Sequence, residues 1–162
     1  MGLLRCACYL ALTGTAAFFL GRILPKRWLH AGRFPFAAYD FERGGRIYEK
    51  LHIRKWQNRV PDMSRIFPRL MPPKNLAGEY KQRLPVMIQE TCVAELIHDI
   101  TALAGLYCLR LWPGPGGVVV TLIDVLLLNL PFILIQRYNR PRLVKLNEKL
   151  RATEKEKTPC VC

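Results

Sequence analysis

The sequence predicts an all-α integral membrane protein of about three transmembrane helices, with interfacial helices on the cytoplasmic side. Three observations lead there. Apolar runs of about the length that crosses a bilayer recur along the chain. The segments joining them are strongly basic, so a net charge of +13 coexists with a slightly positive mean hydropathy. Lys and Arg are also divided unequally between those segments, which sets an orientation. At 162 residues the chain forms a single membrane domain.

The first run, residues 6 to 24, reads "CACYLALTGTAAFFLGRIL" and is interrupted only by Arg22. Arg5 is the only basic residue before it and no small-x-small cleavage site comes after it, so it is expected to be a retained anchor rather than a signal peptide. The second run covers residues 92 to 112, and the third, residues 117 to 135, reads "GVVVTLIDVLLLNLPFILI". Arg22, Lys26, Arg27 and Arg33 follow the first run, and Arg137, Arg140, Arg142, Lys145, Lys149 and Arg151 follow the third. The short loop "RLWPGPGG" has only Arg110. This bias predicts a multi-pass protein of the cell membrane with its amino terminus and the 110–117 turn outside, and residues 25–91 and the tail 136–162 on the cytoplasmic side.

Residues 25–91 are too polar to span a bilayer and too aromatic for a disordered linker, since Trp28, Phe34, Phe36, Tyr39, Phe41, Tyr48, Trp56 and Phe67 stand among Arg and Lys. Aromatic rings and snorkelling cations together suit the headgroup region. Within it, "FERGGRIYEKLHIRKWQN" at 41–58 predicts a helix from about Arg46, with Ile47, Leu51 and Ile53 among its apolar positions. Pro61, Pro68, Pro72, Pro73 and Pro85 are expected to break the remainder of this segment into short pieces. Pro141 biases Arg140 away from helical geometry and predicts a break between the third span and the tail. The six cysteines form no paired framework, and the terminal "CVC" offers two ligands where a zinc site needs three or four, so reduced thiols and no metal are expected.

The candidate chemistry lies in "ETCVAELIHDI", residues 90 to 100, where ionisable side chains enter an apolar run. At about 100° per residue Glu95 and His98 fall about 60° apart on one helix face and can touch, while Glu90 stands at the interface. The third span returns antiparallel, so Asn129 should lie level with His98, and "QRYNRPR" should lie on the same membrane side as the Glu/His cluster. Ionisable residues inside a span are costly, which makes a functional site the default reading. Asp124 stands alone in the outer half of its span.

Absences narrow the reaction. The single serine, Ser64, has no GxSxG setting, the three histidines form no HExxH, and "PGPGG" lacks the Lys and Ser/Thr of a phosphate loop. What remains is His98 as a general base, oriented by a carboxylate, near cations able to hold phosphate or an oxyanion. Two alternatives stay open: a noncatalytic protein binding anionic lipid headgroups, and a metal-dependent enzyme using Glu90, Glu95 and His98. No nucleic-acid partner is expected.

The stretches "ETCVAELIH" at 90–98 and "NLPFILIQRYNRPRL" at 129–143, with "RKW" at 54–56 and "FERGG" at 41–45, resemble the glycosyl-4,4'-diaponeurosporenoate acyltransferase family, small membrane enzymes of the final acylation step in staphyloxanthin synthesis. The resemblance covers most of the chain beyond about residue 35. It implies transfer of a fatty acyl group from acyl-CoA or another acyl thioester to a hydroxyl of a glycosylated lipid, with membrane lipids, the lipid-linked sugar acceptor and the donor as partners and no further cofactor. By position Glu90, Glu95 and His98 match the family's acidic/histidine motif. Asn129, Gln136, Arg137, Tyr138, Asn139, Arg140 and Arg142 match its second motif, and Lys55 and Trp56 lie in "RKW" as further substrate-binding positions. Asp99 departs, because an aromatic residue follows this His in the family, and it is given no role. The expected mechanism has His98 deprotonating the acceptor, Glu95 orienting the imidazole and Glu90 supporting it. Arg137, Arg140 and Arg142 would hold donor phosphates, or one of them with Asn139 would stabilise the oxyanion.

Overall fold

The computed structural model describes residues 1–60 and 80–157. The expectations for Pro61, Ser64, Phe67, Pro68, Pro72, Pro73 and the terminal "CVC" lie outside the described residues. Among those that are described, every regular element is helical. Helix α1 (Gly2–Ile23) leads through short 3₁₀ turns at Lys26–Trp28, Asp40–Glu42 and Arg46–Glu49 into α2 (Ile53–Trp56) and a further turn at Gln57–Arg59. Helix α3 (Tyr80–Gly105) is followed by the single turn α4 (Cys108–Leu111), α5 (Pro115–Ile123), a π-helical turn (Asp124–Asn129) and α6 (Leu130–Lys157).

Three helical stretches are long and apolar enough to cross a membrane: Gly2–Ile23, Arg83–Leu111 and Pro115–Thr153. The protein is therefore a membrane protein, all-helical among the described residues, and Leu12, Phe19, Leu103, Val119 and Leu127 are exposed on these helices, as apolar side chains facing lipid are. The largest helix–helix contact joins α3 to α6, and α1 packs on α3 and α5. Tyr9, in the first half of α1, ties that helix to the carboxyl end of α3 by donating its hydroxyl to the Ala104 carbonyl at 3.0 Å.

Four boundaries differ from the sequence expectation. The second span does not begin at residue 92, because α3 is already helical at Tyr80 and runs through Pro85. Proline there removes one hydrogen bond near the helix start. Leu84, Ile88 and Cys92, one helical turn apart and all buried, keep a continuous face packed across it. Pro141 likewise fails to break the third helix, since α6 continues from Leu130 to Lys157. Side-chain bonds fix α6 on both sides of that proline, through Arg137 and Arg140 before it and Arg142 after it. The third span is not one uniform α-helix from residue 117 to 135, because the π turn interrupts it. Finally, the interfacial helix expected from Arg46 is split, because His52 takes a left-handed conformation with φ 51°. The split turns Ile53 inward, where it is fully buried with Tyr48 and Tyr138 against Trp56, Leu134 and Ile135.

Gly45 is required where this interfacial layer meets α6. Its φ is 86°, and a Cβ there would come within 3.3 Å of the Tyr138 carbonyl oxygen and 3.4 Å of that of Arg137. Gly44 is also left-handed, at φ 64°, but faces open space. Gly45→Ala is expected to cost more than about 1 kcal/mol and to lower the thermal midpoint in detergent further than Gly44→Ala does. Equal midpoints for the two variants would remove the close approach as a constraint.

Candidate functional site

A buried ion cluster fills the space between α3, α6 and the interfacial layer. Glu95 on α3 is 3% exposed and accepts from Arg137 Nη1 at 3.0 Å and from Arg140 Nη2. Arg137 also donates through Nε to Glu42 Oε1 at 2.8 Å and through its terminal nitrogens to the Pro35 carbonyl. Arg140 is 3% exposed; it donates Nε to Thr91 Oγ1 at 2.9 Å, Nη1 to the Phe36 carbonyl at 2.7 Å and Nη2 to the Thr91 carbonyl at 3.0 Å. Glu42, 1% exposed, takes the Tyr39 backbone N–H at 2.9 Å and the Tyr48 hydroxyl. Two carboxylates face two guanidinia, so the charges balance and every carboxylate oxygen and guanidinium nitrogen in the group has a hydrogen-bond partner. Burial, reinforced by the bond to Glu42, pushes the Tyr48 phenol above its ordinary value, so Tyr48 stays a neutral donor.

Deeper in the span lies a second polar group. His98 places Nδ1 3.0 Å from Asn129 Oδ1, and the same oxygen accepts from the Thr101 hydroxyl at 2.6 Å. Asn129 Nδ2 donates to the Asp124 carbonyl at 3.0 Å. The imidazole stacks on Phe132, with ring centroids 4.4 Å apart and planes 9° from parallel. Along α3, His98 lies about 12 Å beyond Glu90 at 1.5 Å per residue. Further out, Asp124 Oδ2 and Thr121 Oγ1 are buried and have no hydrogen-bond partner among the described residues.

The sequence-derived site residues therefore separate. Glu95 and His98 do not form the expected pair: Glu95 is held by two arginines, and Asn129 is the partner of the ring. Arg137 and Arg140 bond carboxylates and backbone carbonyls, and both also line the cleft beside the ion cluster. Glu90 pairs with Lys26 at 3.1 Å, both side chains more than a third exposed, and supports neither His98 nor Glu95. Glu90, Glu95 and His98 thus point to three different partners, and no metal-ligand set forms from them. Asn129 is 4% exposed, and its amide bonds His98, Thr101 and the Asp124 carbonyl. Tyr138 is buried beneath Arg142, whose guanidinium lies 3.7 Å from its ring centroid and bonds Glu49 at 2.6 Å. Asn139 donates to Gln57 Oε1 at 3.1 Å, Trp56 donates Nε1 to the Leu51 carbonyl at 3.0 Å, Gln136 is partly buried and Lys55 is exposed.

Sequence reasoning did not single out Glu42, Thr91 or Thr101. Glu42 sits in "FERGG", and a carboxylate flanked by Phe41 and Arg43 carries no periodic signal of its own burial. A cleft of about 250 Å³ runs beside the ion cluster, past Ala31, Ala37 and Phe36, and reaches Lys145 and Glu148.

Residues 25–149 match the family model described as glycosyl-4,4'-diaponeurosporenoate acyltransferase. Relatives named glycosyl-4,4'-diaponeurosporenoate acyltransferase from Staphylococcus aureus strains bovine RF122 / ET3-1 and MRSA252 are each 30% identical over 129 residues, covering 78% of this chain and 76% of theirs. No solved structure matches the chain.

Truncating Glu95 strands two buried guanidinia, so Glu95→Ala is expected to destabilise the protein by about 3 to 5 kcal/mol. Lys26→Ala, at the exposed pair, should cost less than about 1 kcal/mol. Thermal unfolding of both variants in the same detergent measures the contrast, and similar midpoints would refute the keystone role of Glu95.

Proposed function

The chain belongs to the glycosyl-4,4'-diaponeurosporenoate acyltransferase family, and on that premise we propose that it transfers a fatty acyl group from an acyl thioester to a hydroxyl of a glycosylated lipid, with His98 as the general base. A glycosylated carotenoid acid of the kind in the relatives' name is the first acceptor to test. The observation that carries the assignment to His98 is its setting. It is a histidine within a span, held through one ring nitrogen by Asn129 and flattened against Phe132.

In this mechanism Nε2 of His98 takes the acceptor hydroxyl proton as the oxygen attacks the thioester carbonyl. A C–O bond forms, the C–S bond breaks, and the imidazolium returns the proton to the departing thiolate. A base at this depth suits a lipid acceptor and an acyl chain, both of which reach it from between the helices. The donor's polar portion approaches from the basic, cytoplasmic side, where exposed Lys145 lines the cleft together with Arg137 and Arg140.

Replacing His98 with Ala should lower acyl transfer in purified membranes by about 100-fold or more at unchanged protein level. His52→Ala, in the exposed interfacial layer, should leave turnover near wild type. Full turnover by the His98 variant would remove it from the mechanism.

A further inference from the structure

The polar group around His98 depends on an irregularity in the third helix. Across Asp124–Asn129 the chain closes hydrogen bonds one residue longer than an α-helix does, with the Leu130 N–H reaching the Val125 carbonyl. In a regular α-helix, residues five apart point about 140° away from each other at about 100° per residue. The wider turn brings Asp124 and Asn129 onto one buried face, at 5% and 4% exposure, while Leu126, Leu127 and Leu128 between them remain outside. The Asn129 side chain can then reach back to the Asp124 carbonyl.

That bond determines which end of the amide faces His98. A carbonyl only accepts, so the group 3.0 Å from the Asp124 oxygen is the Asn129 NH₂, and Oδ1 is the atom turned to α3. An amide oxygen cannot donate, so the His98 nitrogen facing it must carry the proton. The other nitrogen, Nε2, is left with its lone pair.

From this geometry we infer that Asn129, held by the π turn through the Asp124 carbonyl, is the positioning residue that fixes His98 in its Nδ1–H tautomer and makes Nε2 the proton acceptor. The inference rests on the reading of His98 as the base and replaces Glu95 in the orienting role. A neutral amide suits this position, because it fixes the ring without adding a further charge to that of the neighbouring Asp99 carboxylate. The arrangement gives the π turn a function, since straightening it would turn either Asp124 or Asn129 away from α3.

The test uses the full chain in detergent or nanodiscs with ¹⁵N-labelled histidine. Its three histidines make the long-range ¹H–¹⁵N spectrum tractable, and His98→Ala identifies the resonance by its loss. Wild-type His98 is expected as the Nδ1–H tautomer, and a Nε2–H tautomer would overturn the inference whatever the outcome of Asn129→Ala. In Asn129→Ala the Nε2–H form should appear and kcat should fall by about 100-fold with KM little changed. An unchanged tautomer and unchanged kcat in that variant would also overturn it. The function fails separately: full turnover by His98→Ala refutes the base, whatever the tautomer of the wild-type ring.

Discussion

The structure depends on burying four charges together. Glu95, Arg137, Arg140 and Glu42 come from α3, α6 and the interfacial layer, and none could be buried alone at the edge of a membrane. Their pairing joins three segments that hydrophobicity alone would leave loosely related, because lipid and apolar side chains are nearly equivalent surroundings for a spanning helix. The backbone is drawn in too, since the Pro35, Phe36 and Thr91 carbonyls accept from the same guanidinia. This anchoring sets the register of α6 on α3 and so determines which residues stand opposite each other deeper in the bilayer. It also holds α6 where Pro141 would otherwise have ended it.

The ion cluster and the proposed base occupy successive turns of the same seam. The arginine-rich stretch that reads as a phosphate grip in sequence is largely scaffold, with its guanidinia turned to carboxylates and carbonyls. His98 lies one helical turn past Glu95, where neutral Asn129 and Phe132 hold the ring. This division makes physical sense in a membrane enzyme. Fixed charges are tolerable near the headgroups, where interfacial residues complete their shells, whereas farther in a neutral hydrogen-bond network is cheaper.

Much of this is legible in the sequence for reasons that can be named. Three spans follow from run length and hydropathy, and the level of His98 with Asn129 comes from antiparallel return at a fixed rise per residue. The interfacial character of residues 25–60 rests on aromatic and basic side chains mixed without period, although their actual turns do not. Glu95 is recognisable as costly, yet its partners are not, because a wheel ranks neighbours on one helix and says nothing of what other segments offer. Glu42 shows this most clearly. It lies far from Glu95 in the chain, and only Arg137 between them makes the two carboxylates one site.

The sequence by itself determined that this is a helical membrane protein, that His98 and Asn129 stand level on neighbouring helices, and which residue types are present to do chemistry. Those properties come from local composition and from a helix rise that is the same in every protein. The tertiary structure alone decided that Glu95 serves the arginines rather than His98, that two prolines lie within continuous helices, and that a π turn presents Asn129 to the imidazole. Each of these rests on hydrogen bonds between distant segments in low dielectric, where an unmatched group is so unfavourable that the available partners, not local propensity, set the geometry.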